Sequence, residues 1–164
     1  MQDKPLTHKS LVRRLSVWLR NTRHHPCHVV ASDLHTANTE TPDVIGWHGR
    51  GSSVLIECKA SRADFRSDSS KSFRRDPCSG MGDRRYYAAP KGLLRPDEIP
   101  EGWGLLEFDG RSVTVSVPAA VQQADKRSEV AVLASVLRRL EISTAVFIRQ
   151  DAVIYDDNPS SSGG

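Results

Sequence analysis

The sequence predicts an α/β protein: one domain in which a central mixed β-sheet is flanked by helices. Three observations predict it. Helical apolar stripes stand near both ends of the chain, and the stretch between them breaks into short β-branched and aliphatic runs separated by Gly, Pro and Ser. The length, 164 residues, is enough for one core without disulfide or metal staples.

The elements follow in order. Residues 7–21 place Leu11, Leu15, Trp18 and Leu19 at helical spacing, with Thr7 as N-cap. A short strand is expected over 28–34. After a polar loop, "DVIGWHGRGSSVLIECK" reads as two strands joined by a turn at Gly49–Gly51. Residues 60–83 are rich in Ser, Arg, Asp and Gly and read as irregular, with a helical turn or two around 62–73. Strands are expected at 84–90, ended by Pro90, and at 104–108 and 112–117 around the turn "DGR". A second helix is expected over 126–141, with Val130, Leu133, Val136, Leu137 and Leu140 as its buried stripe. The domain is expected to run from 1 to 155, with 156–164 ("DDNPSSSGG" at the end of the chain) as a disordered tail.

Composition narrows the function. The chain is 38% hydrophobic and 26% charged, and no apolar run approaches membrane-spanning length. The polar first residues and three widely spaced cysteines (Cys27, Cys58, Cys78) point to a reducing cytoplasm. The cluster His24, His25, Cys27 and His28 lacks the paired spacing of a structural zinc site. Net charge is +3 but unevenly spread: +5 over residues 1–25, −3 over 26–58, +6 over 59–95 and −5 over 96–164. An acidic centre bracketed by basic segments suits a polyanionic partner, although a charge run in isolation is most often a solvated face.

The chemistry concentrates at "VLIECK" (54–59). Glu57 and Lys59 stand on one face at the end of an apolar strand, with Cys58 on the other. If the hairpin turns about residue 50, Asp43 falls opposite Glu57. Carboxylates facing each other across a sheet repel, so a compensating cation is expected: Mg²⁺ (or Mn²⁺), which binds through one or two carboxylates plus water and phosphate. Lys59 would lie beside it, placed to orient or deprotonate a water or to stabilise charge on a phosphate. Without Asp43 and a family likeness, Glu57 and Lys59 read rather as an ordinary exposed salt-bridged pair on an edge strand. Arg62, Lys71, Arg74 and Arg75 are the candidates for phosphate contacts. Tyr86 and Tyr87 alternate, one expected in the core and the other toward a substrate groove. Trp18 and Trp103 are expected to pack.

Pro42-Asp43, thirteen intervening residues, then Glu57-Cys58-Lys59 resembles the motif of the PD-(D/E)XK nuclease superfamily. "IECKASRADFRSD", "DRRYYAAP" and "IPEGWGLLEFDG" are similar to its MmcB-like, DNA-repair-associated branch over roughly residues 40–117. The resemblance implies a restriction-endonuclease-like core and a DNA phosphodiester hydrolase with Asp43, Glu57 and Lys59 catalytic. It further implies a metal bound by Asp43, Glu57 and the main-chain carbonyl of Cys58. Residues 7–21 carry no acid, so Asp33 or Glu40 would supply any additional carboxylate. DNA is the expected partner, with RNA left open and a homodimer allowed. The alternative is a nuclease-fold DNA-binding protein with weak or no turnover.

Overall fold

The computed structural model describes residues 6–23, 25–32, 34, 41–68 and 80–139. The elements are α1 (His8–Asn21), β1 (Val29–Ser32), β2 (Val44–Trp47), β3 (Ser53–Cys58), α2 (Arg62–Asp68), β4 (Arg84–Pro90), β5 (Gly104–Phe108), β6 (Val113–Val117) and α3 (Lys126–Arg139). Six strands form one mixed sheet in the order β1-β2-β3-β4-β5-β6. The β3–β4 and β4–β5 pairs are parallel and the other three antiparallel. This is the expected α/β architecture. The expected domain end at 155 and the tail over 156–164 lie outside the described residues.

Alternation along the strands builds two cores. On one face Val54, Ile56 and Cys58 of β3 and Tyr86 and Ala88 of β4 pack against Leu11, Val12, Leu15 and Leu19 of α1. On the other, Leu55, Tyr87, Ala89 and Leu105 pack with Phe65 of α2 and Val132 of α3. All six residues of β3 are buried, as befits a central strand covered on both faces. The first helix begins where expected: Thr7 and Ser10 exchange hydrogen bonds in a reciprocal capping box. Gly46 is required by close approach, since a Cβ there would stand 2.7 Å from Cys27 Cβ and 2.8 Å from Leu19 Cδ2.

Two expectations need correction. Tyr86 and Tyr87 are both core residues, one for each face of the sheet. On α3 the expected stripe is met in part: Leu133 and Val136 face inward, but Val130 is 64% exposed and Leu137 40%, and Leu140 lies outside the described residues. Buried instead are Glu129 and Val132, with Leu133 and Val136 packed beside them. The cause is Glu129. Its carboxylate accepts from Ser53 Oγ (2.7 Å), the Gly82 N–H (2.9 Å) and Trp47 Nε1 (3.2 Å), and pairs with Lys126 at 3.1 Å. Satisfying a carboxylate within the core sets the helix rotation that an apolar stripe alone would set differently.

Glu129→Ala should therefore destabilise the fold by about 3 kcal/mol or more, because three buried donors lose their acceptor. Val130→Ala should stay within about 0.5 kcal/mol of the parent. Urea denaturation of both variants checks the pair.

Candidate active site

The observed β2–β3 register puts Val44 opposite Ile56 and Trp47 opposite Ser53, so the hairpin turns about residue 50. Asp43, the residue before β2, thus occupies the next rung, opposite Glu57. It is half-buried, and its carboxylate works where the strand ladder ends. Asp43 Oδ2 accepts the Cys58 N–H at 2.8 Å and lies 3.1 Å from His8 Nε2.

Glu57 and Lys59 are nearly inaccessible, at 3% and 4% exposure. Lys59 is fastened at both ends. Its N–H donates to the Ala88 carbonyl of β4 at 2.8 Å, extending the parallel ladder. Its Nζ lies 3.4 Å from Glu57 Oε2 and 3.3 Å from Asp68 Oδ1. Asp68, the last residue of α2, is 1% exposed, and its Oδ2 accepts from Tyr87 Oη at 2.8 Å. The Tyr87 ring stacks on Trp103 and meets Phe65 edge-on, and its centroid lies 5.9 Å from Lys59 Nζ. A β3 carboxylate, a β3 lysine and an α2 carboxylate thereby form one buried ion triad.

The electrostatics follow from this packing. Burial pulls the Lys59 pKa down, but Glu57, then Asp68, Asp64 and Asp43, outweigh it and leave the pKa above its ordinary value. The Cys58 thiol moves well upward, chiefly through burial and then through Asp43 and Glu57. It stays protonated against α1, so any ligand from this residue is its main-chain carbonyl.

Asp68 and His8 were missed at the level of sequence. Asp68 had a signal: it lies three residues after the apolar Phe65, on the same inward face of α2. His8 had none, since it meets Asp43 across 35 residues of chain. Arg62, expected on phosphate, is engaged inside the protein. Its guanidinium pairs with Glu98 and donates to the Leu93 carbonyl at 2.9 Å. Those bonds tie α2 to the β4–β5 connection, and the Arg62 guanidinium holds the Glu98 carboxyl down at about 2. Asp33, Glu40, Lys71, Arg74 and Arg75 lie outside the described residues.

The oxygen donors suit a hard cation. Asp43 and Glu57 stand opposite each other at the end of adjacent strands. The N–H and C=O of an extended residue leave the backbone on the same side, so the Cys58 carbonyl shares the Asp43 edge with its N–H. Two carboxylates and a carbonyl, with the rest left to water and phosphate, match how Mg²⁺ is usually held. Among the described residues no group of three or more His, Cys, Asp or Glu side chains gathers for a metal.

Comparison with known proteins adds to the fold. The chain is similar to the solved structure of a protein of unknown function from Silicibacter pomeroyi. The two share 25% identity and a TM-score of 0.61, over 86% of this chain and 92% of that one. No family model matches the sequence, and no curated protein matches it. No helix among the described residues is long and apolar enough to cross a membrane.

The triad makes a stability prediction. Lys59→Met should cost about 3–5 kcal/mol, because it leaves two buried carboxylates without their cation. Adding Asp68→Asn should cost less than the sum of the two single changes, as contacting residues do. Lys59 binds its proton more tightly in the folded than in the unfolded chain. Its stabilisation is therefore complete below the ordinary value of 10.5 and is lost as pH rises through the higher folded value. Denaturation curves of parent and Lys59→Met between neutral and strongly alkaline pH should converge at the alkaline end.

Proposed function

We propose that the chain is a cytoplasmic, metal-dependent nuclease of the PD-(D/E)XK type, closest to the MmcB-like branch, that hydrolyses DNA phosphodiester bonds in repair, recombination or phage-related DNA processing. The observation that carries the reading is the buried Glu57–Lys59 pair at the end of β3, with Asp43 opposite Glu57 on the adjacent strand. A plain surface salt bridge would be exposed and would not need a second carboxylate, from α2, on the same lysine. The α/β sheet supports the reading too, because ligands of such sheets bind outside the carboxyl ends of the strands.

Asp43, Glu57 and the Cys58 carbonyl would hold Mg²⁺ or Mn²⁺, which when bound polarises a phosphate and makes a water acidic enough to attack it. The chain's own residues have distinct tasks. Lys59 keeps its ammonium at neutral pH, so it is a donor and a fixed positive charge rather than a general base. Of its three N–H groups, two have carboxylate neighbours, which leaves one for an attacking water or a phosphoryl oxygen. Its charge offsets the negative charge that builds on the phosphate in the transition state. Asp68 aims that ammonium, and Tyr87 fixes Asp68, so both are positioning residues.

The test is incubation with supercoiled, linear, single-stranded and branched DNA in Mg²⁺, Mn²⁺ or EDTA. Cleavage should require the metal and fall by about 100-fold or more in Glu57→Gln and Lys59→Ala. In Asp68→Asn, kcat should fall with KM little changed, because the ammonium loses its aim and not the substrate its contacts. Binding without cleavage would assign the chain to the non-catalytic alternative. Neither binding nor cleavage, with RNA also tried, would remove nucleic acid from the picture.

A further inference from the structure

A groove of about 880 Å³ runs between α1 and the β5–β6 turn, on the face of the sheet covered by α1. Its walls carry Lys9, Arg13, Arg14 and Arg111, and its floor includes Trp18 and Phe108. All four cations are exposed, and none forms an ion pair among the described residues. The one acid in the turn beside them, Asp109, is occupied. The Ser112 and Arg111 N–H groups and the Ser112 hydroxyl hold its carboxyl at about 2.

This arrangement costs stability in the free protein. The first turn of α1 contains no acid, and Lys9 stands there against the positive end of the helix dipole. Lys9 and Arg13 also repel as a like-charged i, i+4 pair. A bound polyanion relieves both penalties.

The groove lies on the α1 face and the Glu57–Lys59–Asp68 triad on the α2 face, but both reach the carboxyl end of β3, β4 and β5, around which a bound strand would pass. Strands β3, β4 and β5 run parallel, so Glu57, Pro90 and Phe108 are close to one edge, and the β5–β6 turn continues from it. The start of α1 reaches the same edge, where His8 meets Asp43. Lys9 is therefore the next residue along from a contact with the candidate active site.

We infer that the α1/β5–β6 groove is a DNA-binding track, in which Lys9, Arg13, Arg14 and Arg111 hold the phosphate backbone as it leaves the Asp43–Glu57–Lys59 site. Trp18, half-buried with its inner side on the α1 core, offers the groove an aromatic surface for a base. The choice of DNA as the polyanion rests on the function proposed above; the cation track itself does not depend on turnover.

The test is fluorescence anisotropy of a labelled oligonucleotide of about 20 nucleotides, single-stranded and duplex, in EDTA so that binding is separated from cleavage. Salt is varied from about 50 to 200 mM. Two double variants are used, Lys9→Ala/Arg13→Ala and Arg14→Ala/Arg111→Ala, with thermal melts to confirm folding. Arg127→Ala/Arg138→Ala on α3 is the control for net charge. Each groove variant should bind about tenfold or more weakly, with a log–log salt slope shallower by about 1.8 on duplex and about 1.4 on single strands, and the control should match the parent. Parent-like affinity and slope in both groove variants would overturn the track and leave the nuclease reading standing. Displacement by polyglutamate as readily as by unlabelled DNA would overturn it in favour of an acidic protein partner. Parent protein that never binds DNA, even at the lowest salt, overturns it as well. Groove-dependent binding by a protein that cleaves nothing sustains the track and sinks the nuclease.

Discussion

The ammonium of Lys59, held between Glu57 and Asp68, is the interaction on which the rest of the structure depends. Three ionised groups removed from water cost several kcal/mol each unless their geometry is good and their remaining polar atoms are bonded. Meeting that condition takes most of the fold. The strand β3 must end at this point, β4 must pair in parallel so that Ala88 accepts the Lys59 N–H, and Tyr87 must reach Asp68. The second helix must in turn be pinned in place, which Arg62 does through Glu98 and the Leu93 carbonyl. A hydrophobic trio of similar volume would be simpler to fold.

The two ends of the sheet do different work. At the carboxyl ends of β3, β4 and β5 lie the ion triad, Asp43 and a groove of exposed cations. At the opposite end a third buried carboxylate, Glu129, is fully occupied by Ser53, Gly82, Trp47 and Lys126, and Lys126 also pairs with Asp83 at 2.5 Å. That network closes α3 over the sheet. Both ends bury acids, but in the Glu129 network every bond is to an internal donor, whereas Asp43 is half-buried where the β2–β3 ladder ends.

Much of the fold was legible because it is local. Thr7 as a cap, Pro90 as a strand end and the hairpin about residue 50 each follow from turn chemistry or periodicity within a few residues, and each is observed. The Glu57–Lys59 pair was legible for the same reason, since two charged groups closing an apolar strand stand out. Arg62 was not, because its acceptor, Glu98, is 36 residues away and a lone arginine gives no sign of its partner. The α3 stripe held for Leu133 and Val136 but not for Val130 and Leu137, because periodicity counts apolar residues while the helix turns to satisfy Glu129.

The sequence by itself determined where strands and helices start, that the sheet is mixed, and that Asp43, Glu57 and Lys59 share one region. These depend on side-chain period, caps and turns, which neighbouring residues settle among themselves. Only the tertiary structure decided that the lysine is shared with Asp68, that His8 meets Asp43, and that the cations of α1 join Arg111 in one groove. Those pairings are chosen by how buried charges find partners when distant segments pack, and no local pattern encodes that choice.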